Sequence, residues 1–136
     1  FKLIIERNLA WPRVYVHRDF MPRNLMISAE GSQPRLGVLD FQDAVYGPIT
    51  YDVASLFRDA FVSWPEAREL DWVVRYWERA RAAGLPVHAD FGAFWSDVEW
   101  MGLQRQLKVL GIFARLAHQG AQLLAVGARA QVDPLA

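Results

Sequence analysis

Between Asn24 and Asp40 the chain has room for one hairpin and little else. Two short apolar runs, Leu25-Met26-Ile27 and Leu36-Gly37-Val38-Leu39, flank Ala29-Glu30-Gly31-Ser32-Gln33-Pro34, which has the composition of a hairpin turn. The runs are expected to pair antiparallel. That pairing brings Asn24 and Asp40 together at one end of the hairpin, where two oxygen ligands can share one hard cation.

Val14-Tyr15-Val16 reads as a further extended piece, and beyond Asp40 the pattern turns helical and stays so. A first helix is expected near Tyr51-Asp52, with Val53, Leu56, Phe57 and Ala60 on one face and Asp52 as its N-cap. Ser63-Trp64-Pro65-Glu66 reads as a capping box for a second helix, which carries Leu70, Val73, Val74 and Trp77 and should stop at Ala83 before Gly84 and Pro86. A third, opened by Asp90, carries Phe91, Phe94, Trp95 and Val98. It or a successor carries Leu103, Leu107, Leu110 and Ala114; Gly92, Gly102 and Gly111 weaken one long helix or allow close packing. Beyond His118 the residues turn small and polar, and Asp133-Pro134-Leu135-Ala136 reads as a frayed end. The fold class is α+β, mainly helical with a short antiparallel hairpin.

Composition narrows the function. With 136 residues, 53% hydrophobic, six Trp and eight Phe, one domain can fill a sizeable core. Fifteen basic and fifteen acidic side chains cancel, so no global field draws the chain to nucleic acid or to an anionic membrane. The absence of cysteine excludes disulfides, thiolate chemistry and Cys-based zinc sites, and suits the cytoplasm. No run approaches a membrane span, and Phe1-Lys2-Leu3-Ile4-Ile5-Glu6-Arg7 lacks the layout of a secretory signal. The chain begins without Met inside an amphipathic helix carrying Leu3, Ile4 and Arg7, and reads as a piece of something longer.

His17-Arg18-Asp19-Phe20-Met21-Pro22-Arg23-Asn24, followed by Asp40-Phe41-Gln42, has the order and spacing of a phosphoryl-transfer loop and its metal-binding aspartate. Asp19 is the candidate catalytic residue, able to orient a substrate hydroxyl and accept its proton. Asn24 offers Mg²⁺ a neutral oxygen, and Asp40 a carboxylate that bridges the metal to the phosphates of ATP. Only sixteen residues precede His17, too few for a glycine-rich loop and a strand lysine, so residues 1–136 are expected to be a C-terminal catalytic and acceptor lobe without its nucleotide lobe.

On these residues the chain resembles the C-terminal lobe of the aminoglycoside phosphotransferase and choline kinase group, relatives of the protein kinases with a protein kinase-like fold. The resemblance runs from about Arg13 to about Ala117 and includes Asp40-Phe41-Gln42-Asp43-Ala44 and Tyr51-Asp52-Val53-Ala54. Many members have Gly where this chain has Arg18. The fuller strings, through Leu25-Met26 and Val45-Tyr46-Gly47-Pro48, are similar to bacterial anomeric kinases of N-acetylmuramate and N-acetylglucosamine. The resemblance implies ATP as co-substrate, Mg²⁺, a small-molecule acceptor that is an amino sugar, and a place in cell-wall recycling. It also implies that His17 packs and hydrogen-bonds to hold the loop, and that Asp52 ties the loop's backbone to the following helix.

Nine residues between Asp40 and a helix beginning near Thr50 leave no platform for a peptide substrate. Arg18 could contact acceptor or phosphate, or pair with Asp43; Gln42 and Asp43 are further candidate contacts. Trp72, Trp77, Trp95 and Trp100 could wall an acceptor pocket, although ordinary core packing is the plainer reading. Glu99, Arg75, Arg79 and Arg81 read as solvated helix faces. Against the amino-sugar kinase stand an aminoglycoside phosphotransferase, a non-catalytic remnant, and a metal-dependent hydrolase using Asp19, Asp40 and Asp43.

Overall fold

In the computed structural model, residues 2–28, 33–58 and 62–132 are described, with side chains through residue 120. The chain divides into two compact units, Phe1–Arg105 and Gln106–Ala136. Their elements in order are α1 (Lys2–Leu9), β1 (Arg13–Val16), β2 (Leu25–Ser28), β3 (Arg35–Val38), β4 (Val45–Pro48), α2 (Thr50–Phe57), α3 (Glu66–Ala82) and α4 (Phe91–Val132). Short 3-10 turns occupy Pro22–Asn24 and Phe41–Asp43.

The expected hairpin is present: β2 pairs antiparallel with β3, Leu25 opposite Val38 and Ser28 opposite Arg35. A second antiparallel pair was not legible in the sequence. β4 pairs with β1, Val16 opposite Val45 and Arg13 opposite Pro48, so the chain after Asp40 is extended before it becomes helical. Tyr15 and Tyr46, directly opposite, meet edge to face with centroids 5.6 Å apart.

The core of the first unit gathers Ile49 and Val53 of the α2 region, Val73 of α3, and Phe94 and Val98 of α4. On α4 the buried stripe runs Phe94, Val98, Met101, while Leu103 stays 41% exposed. Leu70 of α3 is likewise exposed. Trp77 and Trp95 pack against this core, Trp77 also donating its indole N–H to the His88 carbonyl at 2.8 Å. For these two the packing reading holds.

Helix ends depart from expectation in two places. No side-chain cap closes α3: Pro65 occupies the cap position, and its carbonyl accepts the amides of Arg68 and Glu69, so Ser63 and Glu66 form no capping box. Asp52 is the third residue of α2 rather than its cap, which is Ile49. The end of α3 follows the sequence closely. Gly84 takes φ 72°, its amide reaches the Arg81 carbonyl and the Leu85 amide reaches Ala80, a Schellman closure. Asp90 caps α4 through the Ala93 amide at 2.7 Å.

Gly102 acts by close approach. A Cβ there would stand 2.6 Å from Arg58 Cδ. The glycine thus leaves room for Arg58, which donates to Glu69 at 2.8 Å and lies over Trp95. This half-buried bridge joins the end of α2 to α3. α1 is joined to α4 by Asn8, whose buried amide donates to Gln104.

α4 continues as helix through Val132, where small polar residues gave no clear reading; the proposed frayed end and Ala60 lie outside the described residues. Among the described residues no helix is long and apolar enough to cross a membrane.

Candidate active site

The β1–β4 ladder ends at buried Val16, and the chain turns immediately into His17-Arg18-Asp19. The turn requires Arg18 at φ 75°, a left-handed conformation that costs a non-glycine residue about 1–2 kcal/mol. Asp52 offsets this cost. Its Oδ2 accepts the His17 amide at 2.6 Å and its Oδ1 the Arg18 amide at 3.0 Å. Because α2 carries Val53 and Ala54 in the core, the loop is fixed to a packed helix.

Past the turn, the Asp19 carbonyl accepts the Met21 amide at 2.9 Å and the Asn24 Nδ2 at 2.8 Å. The second bond fixes the Asn24 amide: its nitrogen faces the loop, leaving the oxygen as the end available to a cation. Asn24, 8% exposed, also accepts the Leu39 amide through its own carbonyl at 2.9 Å. That bond extends the β2–β3 ladder by one pair and sets Asp40 beside it. Asp40 is itself left-handed, φ 61°, and exposed. The hydrogen bonds therefore run from the Asp19 carbonyl through Asn24 to Leu39, the residue before Asp40.

Arg18 reaches the same neighbourhood from the other side. Its Nη1 donates to the Asp43 backbone carbonyl at 3.4 Å, so the contact with Asp43 is to main chain and the expected carboxylate pair does not form. Gln42 and Asp43 are exposed on the turn after Asp40. The His17 ring packs edge-on against Phe20 with centroids 6.0 Å apart, and both its nitrogens are buried without a hydrogen-bond partner. Its side chain holds the loop by packing alone.

The donor set fits a magnesium ion. Among the described residues no cluster of three or more His, Cys, Asp or Glu could hold a metal. Asn24 and Asp40 instead offer two hard oxygen donors, as expected for an ion that dehydrates reluctantly and takes its remaining ligands from water and phosphate.

Beside the loop lies a cleft of about 530 Å³, lined by Pro22, Leu56, Phe57, Trp64, Trp72, Arg75, Tyr76 and Arg79. Its size suits a small ligand. Trp72 stacks on Phe57 at 5.5 Å and meets Trp64 edge to face at 5.0 Å, so one wall is aromatic. Of the candidate pocket tryptophans only Trp72 lines it, while Trp100 lies outside the lining and Glu99 is exposed. Tyr76 links cleft to loop: burial, and to a lesser degree the Asp52 charge, hold its phenol above the ordinary 10.0. Arg75 and Arg79, read from sequence as a solvated face, line this cleft. Periodicity identified the polar side of α3 but not what that side borders.

Residues 2–100 match the phosphotransferase enzyme family. The chain is 60% identical over 118 residues to a Pseudomonas putida protein named N-acetylmuramate/N-acetylglucosamine kinase, covering 87% of this chain and 34% of that relative. Relatives of the same name from Neisseria meningitidis and Pseudomonas aeruginosa are 62% and 54% identical, over 82% and 86% of this chain and 32% and 33% of theirs. The chain thus spans about a third of the length of the curated relatives it matches.

Proposed function

The chain belongs to the phosphotransferase enzyme family, and on that premise we propose that it forms the acceptor and metal half of an ATP- and Mg²⁺-dependent amino-sugar kinase. The acceptors are N-acetylmuramate and N-acetylglucosamine, sugars of cell-wall recycling, and the nucleotide lobe comes from sequence upstream of this chain. The observation that supports it most is the hydrogen-bonded run from Asp19 through Asn24 to Leu39, which Asp40 follows in sequence.

In this reading the Asp19 carboxylate accepts the proton of the sugar hydroxyl as its oxygen bonds to the γ-phosphorus and ADP departs. Asn24 and Asp40 would hold the magnesium, which neutralises charge on the phosphates when bound. Asp52 acts through the amides of residues 17 and 18, keeping the loop at the angle that aims Asp19. The stretch from Phe41 to Ile49 is occupied by a turn and β4 before α2 begins, leaving no length for a peptide platform. Among the described residues, the lining of the cleft beside the loop holds two arginines and no carboxylate, which disfavours polycationic aminoglycosides as acceptors.

The test is ATP consumption by the full-length gene product with N-acetylmuramate, N-acetylglucosamine, aminoglycosides and choline, alongside Asp19→Asn. Turnover is expected with the amino sugars and should fall by roughly 10²–10⁴ in the variant. Undiminished turnover in Asp19→Asn would remove the role given to Asp19.

A further inference from the structure

We propose that Arg79, supported by Arg75, recognises an acceptor carboxylate and so sets the preference between the two sugars; this rests on the reading of the site as an amino-sugar kinase. α3 presents Trp72, Arg75, Tyr76 and Arg79 to the cleft, spaced so that they lie on one face of the helix. The aromatic wall suits the apolar face of a sugar ring. Among the described residues the only charged ones in the lining are the two arginines, so the charge they are placed to receive is negative.

The two cations are not equivalent. Arg75 shares its charge with Asp71, one turn earlier, at 3.0 Å. Arg79 has no carboxylate partner among the described residues, which leaves its planar fork available to bind a carboxylate with two hydrogen bonds. N-acetylmuramate differs from N-acetylglucosamine by a lactyl ether that carries one carboxylate. Both sugars offer the same ring to the aromatic wall, and only the first offers an anion to Arg79. Pro22, which lies in the catalytic segment and also lines the cleft, puts a sugar bound there beside the Asp19 loop.

The test is kcat/KM of the full-length gene product for each sugar, in the wild type, Arg79→Ala, Arg79→Gln, Arg79→Lys and Arg75→Ala. Loss of one charge-assisted contact should lower the N-acetylmuramate to N-acetylglucosamine ratio roughly tenfold in Arg79→Ala and Arg79→Gln. Lysine should restore part of the ratio, and Arg75→Ala should lower it less. A ratio unchanged in both neutral variants overturns the inference while the kinase reading stands. So does a higher KM for ATP with the sugar ratio unchanged, which would assign Arg79 to the nucleotide. Wild-type enzyme that turns over neither sugar removes the proposed function, and this inference with it.

Discussion

Asp52 is the residue on which the loop geometry depends most directly. One carboxylate accepts two backbone amides, and each such charge-assisted bond is worth about 1.5–3 kcal/mol. Against this stands the left-handed strain at Arg18, about 1–2 kcal/mol, so the anchor outweighs the cost of the turn it holds. Asp52→Asn keeps one acceptor but turns an NH₂ group toward the other amide. It should lower stability by about 2 kcal/mol, read from the urea midpoint at constant m-value, and, on the proposed function, reduce the kcat of the full-length gene product more than it raises KM. An unchanged midpoint would mean that the loop is held by something else. Sequence spacing placed Asp52 at a helix start, where an N-cap is the economical reading. Its partners are 34 and 35 residues away, a separation that no local pattern reports, and the tie to the loop backbone is implied by the family resemblance alone.

Among the elements, those with a local cause were legible. The β2–β3 hairpin followed from two apolar runs around a turn-rich stretch, and the end of α3 from Gly84. A Cβ at Gly84 would meet nothing within 4 Å, so Gly84→Ala isolates the backbone cost of φ 72°. The expected loss is about 1 kcal/mol, measured by thermal or urea unfolding. What stayed hidden depends on partners distant in sequence. β4 is four residues long, ends in Gly47-Pro48, and is extended because β1, far upstream in sequence, lies beside it. The capping box failed because α3 begins at Glu66 with Pro65 at its cap position, so Glu66 is the first helical residue and not the third, as a box with Ser63 requires. In the site, order and spacing indicated Asp19, Asn24 and Asp40. Trp72 was legible as a possible wall of the cleft, but its arginine side was missed because Arg75 and Arg79 resemble any solvated helix face until α2 and Trp64 close the other side.

Across the first unit, one buried carboxylate collects contributions from three separate segments. Asp97 of α4 pairs with His88 at 2.8 Å and feels Arg7 of α1. Burial is the largest influence and raises its pKa above 3.8, outweighing the lowering effects of His88 and Arg7. The folded state thus holds the Asp97 proton more tightly than the unfolded chain does. The stability this contributes is fully present below 3.8 and is lost as pH rises through the raised folded value. Relative to Asp97→Asn, which cannot ionise, the wild type should therefore lose ground in urea midpoint as pH increases through that window. A gap that stays constant with pH would contradict the assignment. The turn at Arg18 belongs to the same unit, and its anchor has a property of another kind. Asp52 grips amides, which every residue but proline possesses, so it does not depend on which side chains occupy positions 17 and 18. Position 18 need only tolerate a left-handed backbone, a demand that glycine meets without strain. A library randomised there, proline aside, should keep its fold largely intact, making this turn a place where a lineage can change a side chain without first rebuilding its scaffold.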